Sequence, residues 1–137
     1  MVYSYGLLAE NAEVGSDGRF YVFKGGIEVL HCPSVPCMVP TLALLVRIGI
    51  MPFERGLPHT LQIQGYRPTG EAFTPALVSR MEPKIDIAPP DRTVSHVFVV
   101  HFNAVMIQEF GLHLFSILGD GQKLGEYTFY ADQFHDS

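Results

Sequence analysis

The strongest signal along the chain is a period of two. Across 41–50, Leu42, Leu44, Val46, Ile48 and Ile50 fall on one side, and Thr41, Ala43, Leu45, Arg47 and Gly49 on the other. Alternation of this kind lays one side of a β-strand on a core. Thr60, Gln62 and Gln64 alternate with Leu61 and Ile63 in the same way. The stretch 94–105 differs, because Val97-Phe98-Val99-Val100 is an unbroken apolar run. It predicts a central strand covered on both faces, or one whose outer face meets another subunit.

Turn chemistry separates the runs. Gly15-Ser16-Asp17-Gly18 divides 3–14 from 19–30, and Arg67-Pro68-Thr69-Gly70 places a proline where the first central turn position favours φ near −65°. Gly119-Asp120-Gly121-Gln122 carries the Asp-Gly pair of a tight hairpin. Gly25-Gly26 predicts a bulge or a close backbone approach. Pro83, Pro89 and Pro90 mark a connection over 82–92 that crosses between sheets. Thr74-Pro75 reads as a helix cap ahead of 76–81, so that segment is helix or strand. Gly111 and the β-branched residues before it favour a hairpin around 104–111. The prediction is a single all-β domain over 1–137: an antiparallel β-sandwich, immunoglobulin-like or related, with seven or eight strands and at most one short helix. A closed eight-stranded barrel is the alternative.

Composition narrows the function classes. Charged residues are 17% of the 137 residues, against about 25% in soluble domains. With 47% apolar residues and a mean hydropathy of +0.19, the chain lacks the composition of a disordered segment. A net charge of −5 with three lysines argues against nucleic acid as a partner. The uncharged run between Glu28 and Arg47 has the length of a membrane span, but Pro33, Pro36 and Pro40 interrupt it. It is expected to form a loop followed by a buried strand, with no membrane partner. The first residues lack the basic region of a signal peptide. Cys32 and Cys37 do not make a disulfide framework, so a reduced, cytoplasmic protein is expected.

Two stretches carry a resemblance. They are 8–14 with Asp17-Gly18-Arg19-Phe20-Tyr21-Val22 and Lys24-Gly25-Gly26-Ile27, and the C-terminal pair 109–115 and 124–129. They resemble a bacterial domain-of-unknown-function family of small β-sandwich proteins. Members tend to carry Gly-x-Tyr-x-Phe where this chain has Gly111-Leu112-His113-Leu114-Phe115. The resemblance implies the sandwich and supplies no established activity.

Candidate chemistry is sparse. His31, Cys32 and Cys37 are zinc-ligand types within one short segment, but a structural site takes four ligands and there is no second cysteine pair. The favoured reading is a stiff connection between strands with no bound cofactor. A disulfide under oxidising conditions is a further option. His96 and His101, five apart on one strand, point to opposite faces. If the chain turns tightly near Gly111, His101 comes to lie on a strand adjacent to that of His113. No Gly-x-Ser-x-Gly elbow and no P-loop spacing occurs. The acidic pairs Glu10 with Glu13 and Asp132 with Asp136 read as solvated.

Aromatic residues are more informative. They cluster in the first two and the last three strands, from Tyr3 and Tyr5 to Phe134. A two-layer sandwich buries one face of each sheet, so apolar side chains are left over. The expected function is a non-catalytic module that self-associates or docks another protein. Its candidate contacts are Tyr3, Tyr5, Tyr21, Phe23 and Tyr130. A carrier or sensor of a small apolar ligand is the alternative, and a metal-dependent enzyme the third.

Overall fold

The structure is a computed structural model that describes residues 1–81 and 91–133. Its strands are β1 (Val2–Val14), β2 (Phe20–Gly25), β3 (Val29–Cys32), β4 (Cys37–Ile50), β5 (His59–Tyr66), β6 (Leu77–Met81), β7 (Val94–Ile107), β8 (Gly111–Gly119) and β9 (Gln122–Gln133). A single turn of 3-10 helix spans Pro52–Glu54. Sheet I has the order β2-β1-β4-β7 and sheet II the order β3-β9-β8-β5-β6. All pairings are antiparallel except β3 with β9. The fold is an all-β sandwich of two packed sheets. Among the described residues the strands number nine, because the segment 19–30 is not one strand. Gly26, at φ 78°, breaks it. β2 stays in sheet I while β3 joins sheet II.

The alternating strand of the sequence is β4. Leu42, Leu44, Val46, Ile48 and Ile50 enter the core between the sheets, opposite Leu61, Ile63, Phe115, Ile117 and Phe129 of sheet II. The turns follow their residue chemistry. In the β1–β2 turn, Gly18 takes φ 81° and the Arg19 N–H donates to Asp17 Oδ1 at 3.0 Å. In the β8–β9 hairpin, Asp120 and Gly121 have φ 50° and 81°, the two positive angles of a two-residue turn that matches strand twist.

Three local expectations change. The Thr74-Pro75 pair caps no helix: the Thr74 hydroxyl accepts the Gly65 N–H at 2.7 Å, and 77–81 pairs with β5 as a strand. β7 is not central; among the described residues it pairs only with β4. Its apolar run arises because Phe98 and Val100 pack on the core while Val97 and Val99 share the opposite face with Leu45. β7 and β8 do not form a hairpin, since they belong to different sheets. The predicted connection over 82–92 lies, up to residue 90, outside the described residues, as do Phe134 and Asp136. Among the described residues no helix is long and apolar enough to cross a membrane.

Candidate functional site

The outer face of sheet I, turned away from sheet II, gathers aromatic and aliphatic side chains through its strand registers. Cross-strand partners share a face, so the pairings define it row by row. Tyr5 lies beside Arg47 and Val97, Leu7 beside Leu45 and Val99, and Ala9 beside Ala43 and His101. Farther along β1, Asn11 pairs with Phe23 and Glu13 with Tyr21. Alternation along β1 puts Tyr5, Leu7, Ala9, Asn11 and Glu13 on this side and Leu8 in the core. Tyr5, Tyr21 and Phe23 are 38%, 58% and 54% exposed, whereas Ala9, Ala43 and Leu45 on the same face are fully buried. Two cations sit on the aromatics: Arg47 lies 5.9 Å from the Tyr5 ring centre and Lys24 lies 5.5 Å from that of Phe23. At the far end of the face, His101 Nε2 bonds the Ala12 carbonyl at 2.9 Å and lies 3.6 Å from Glu13.

Tyr3 does not share this surface. The pairing shifts register between Tyr3, opposite Ile48, and Tyr5, opposite Arg47. The extra residue of a β-bulge reverses the side on which Tyr3 emerges. Its ring packs over Gly125, where a Cβ would lie 2.5 Å from Tyr3 Cδ1. Burial and the neighbouring Tyr127 raise the Tyr3 hydroxyl above its ordinary pKa. Tyr130 is exposed on the opposite side of the molecule, paired with Leu112 and Val29 on the outer face of sheet II. Three of the five candidate contacts therefore meet on one face, one packs inward, and one lies across the sandwich.

The metal candidates sit at the β3–β4 joint. Cys32 is buried and Cys37 half-buried, both as free thiols, and His31 is exposed beside Asp132. Among the described residues no three His, Cys, Asp or Glu side chains gather to hold a metal ion. The other histidines disperse. His96 pairs with Ile48 and His101 with Ala43, on opposite faces of β7. His113 lies fully buried in sheet II, its ring stacked on Phe129 at 5.1 Å. The chain passes from Ile107 to Gly111 in three residues but crosses between sheets there, so the strands of His101 and His113 are not adjacent.

One constellation escaped the sequence reading. His59 is buried, with Nδ1 2.7 Å from Asp120 Oδ2 and Nε2 2.7 Å from the Glu54 carbonyl. Both nitrogens face acceptors, so the ring donates twice and carries a proton. The Glu54 carbonyl bond and the Asp120 carboxylate accordingly raise its pKa. Asp120 also accepts the Thr60 N–H at 2.9 Å, and Glu54 bonds the Met1 amino group and the Met51 N–H. With both ring nitrogens engaged, this is a clip joining the start of β5 to the β8–β9 turn. Only the turn residue Asp120 was legible in advance; its pairing with a histidine 61 residues away leaves no local signal.

Fold and surface together define a two-sheet β-sandwich with an aromatic outer face. A family model described as a family of unknown function (DUF6941) matches residues 4–132, and the chain belongs to that family. This agrees with the resemblance to a domain-of-unknown-function family. No curated protein and no solved structure matches the chain.

Proposed function

We propose that this protein is a non-catalytic association module that binds a second copy of itself through the outer face of sheet I. The observation that carries the reading is the gathering of Tyr5, Tyr21 and Phe23 with Leu7, Val97 and Val99 on a face turned away from the core. Two such faces pack about 10 Å apart, and a two-fold axis makes the contact self-complementary. Charge supports the same geometry. Arg47 lies at the Tyr5 end of β1 and Glu13 at the other end, so an antiparallel copy sets each Arg47 against a Glu13. Exposed aromatics of this kind act as anchors at interface centres.

Sedimentation equilibrium at micromolar concentration tests this. The wild type is expected to weigh as a dimer, and Tyr21→Glu combined with Phe23→Glu as a monomer with an unchanged circular dichroism spectrum. Tyr130→Glu, on the other sheet, should leave the dimer intact. A monomeric wild type, or a dimer indifferent to the changes at Tyr21 and Phe23, would overturn the reading.

A second reading rests on a cleft of about 560 Å³ on the outer face of sheet II, whose lining includes Tyr66, Leu112, Leu114, Ser116 and Lys123. Its size suits a small ligand. A retained small molecule in native mass spectra of the purified protein, lost on Leu114→Glu, would favour a carrier or sensor.

A further inference from the structure

The two cysteines are placed for a reaction that the association face does not use. Cys32 ends β3 in sheet II, Cys37 begins β4 in sheet I, and residues 33–36 carry the chain between the sheets. Cys32 is 1% exposed within the core cluster. Cys37 packs against the same cluster but keeps part of its surface in solvent. Both side chains pack in one apolar cluster at the seam of the sandwich, near enough for each thiol to influence the other. β3 is the edge strand of sheet II, and among the described residues it pairs with β9 alone.

We propose that Cys32 and Cys37 form a redox site that takes a low-molecular-weight disulfide and closes to an internal disulfide, tying edge strand β3 to β4. The half-exposed thiol reacts first. The Cys37 thiolate attacks one sulfur of the small disulfide, forming a mixed disulfide and expelling one small thiolate. Cys32 then gives up its proton and attacks the Cys37 sulfur, expelling the second. Two protein S–H groups are oxidised to one S–S bond, the small disulfide is reduced to two thiols, and both protons leave on those thiols. Burial first, and then the neighbouring Cys37 thiol, push the Cys32 thiol up to about 12. Burial is the largest cause and persists in the mixed disulfide, while the influence of Cys37 is lost once that sulfur is capped, so the Cys32 thiol moves only part of the way back toward its ordinary value.

The test is to incubate the full chain, folded, with oxidised glutathione and measure intact mass before and after alkylation in denaturant. The wild type is expected to lose the mass of two hydrogens and to take up no alkyl groups. Dithiothreitol should restore two alkylatable thiols. Cys32→Ser should stop at one glutathione adduct on Cys37. Cys37→Ser should keep an unmodified Cys32. A wild-type chain that holds a stable glutathione adduct, forms disulfides only between copies, or retains both thiols while folded would overturn the proposal. The wild-type masses decide the outcome even if a variant fails to fold, and they do not depend on the oligomeric state.

Discussion

Residue by residue, the buried histidines give the molecule its expected response to pH. His59 is held protonated by two acceptors, and its pKa lies above the ordinary 6.5. Its contribution to stability is complete below pH 6.5 and is lost as pH rises through the folded value. His113 has the opposite sign. Burial lowers its pKa, outweighing the Gly111 carbonyl at Nδ1 and the nearby Glu109. Its Nε2 is buried without a hydrogen-bond partner. Stability from the neutral His113 ring is complete above 6.5 and fades as pH falls toward its folded value. Urea unfolding across about pH 5 to 9 should therefore show declines on both sides of a maximum, the alkaline one disappearing in His59→Gln. Asp120→Ala removes the acceptor of a buried charged donor and should cost about 1–3 kcal/mol at neutral pH. Asp120→Asn should cost less. Asparagine tolerates the positive φ of that turn and retains an acceptor oxygen, but it removes the negative charge, so the alkaline decline should move to lower pH.

At the level of the strands, close packing at glycine positions gives a sharper test of the core. A Cβ on Gly65 of β5 would lie 2.6 Å from Phe73 Cε1 and 3.1 Å from Phe115 Cε1. Overpacking of this kind costs about 1–3 kcal/mol, so Gly65→Ala should lower the urea midpoint. Phe73→Leu in the same chain should recover part of the loss, a coupling that a double-mutant cycle reads directly. The strands themselves were legible because alternation is local. Leu42 to Ile50 declare a core face in nine residues, and Asp120-Gly121 declares a hairpin in two. What stayed hidden depends on events distant in sequence or one residue in length. The single-residue bulge near Ser4 sends Tyr3 inward and Tyr5 outward, although both carry the same side chain two positions apart. Thr74 looks like a helix cap until Gly65 supplies its N–H. The apolar run of β7 has the composition of a central strand, but its neighbours in the sheet are set by topology. The candidate site was legible as a surplus of aromatics and as a list of residues. Which of them share a face followed only from the registers of β1, β2 and β4.

For the whole molecule, the decisive quantity is the link between folding and association. On the outer face of sheet I, Ala9, Ala43 and Leu45 are each 0% exposed, but Tyr5, Tyr21 and Phe23 still present their rings to water. If a second copy covers them, part of the stability of each chain resides in the contact, and binding to the folded state alone makes apparent stability depend on concentration. A tenfold rise in chain concentration then adds about 1.4 kcal/mol per dimer, half of it per chain. Heating experiments at two concentrations a hundredfold apart should show the wild-type midpoint rising by several degrees, on the order of 3–8 °C for a chain of this size. The Tyr21→Glu, Phe23→Glu chain should show one midpoint at both concentrations, close to that of the dilute wild type, because its core is untouched. Equal midpoints for the wild type at both concentrations would mean that no stability is shared between copies, and the outer face of sheet I would lose its role. Tyr130→Glu separates the two sides of the sandwich: it should keep the concentration dependence, since its ring lies with Leu112 and Val29 on sheet II, outside the proposed contact.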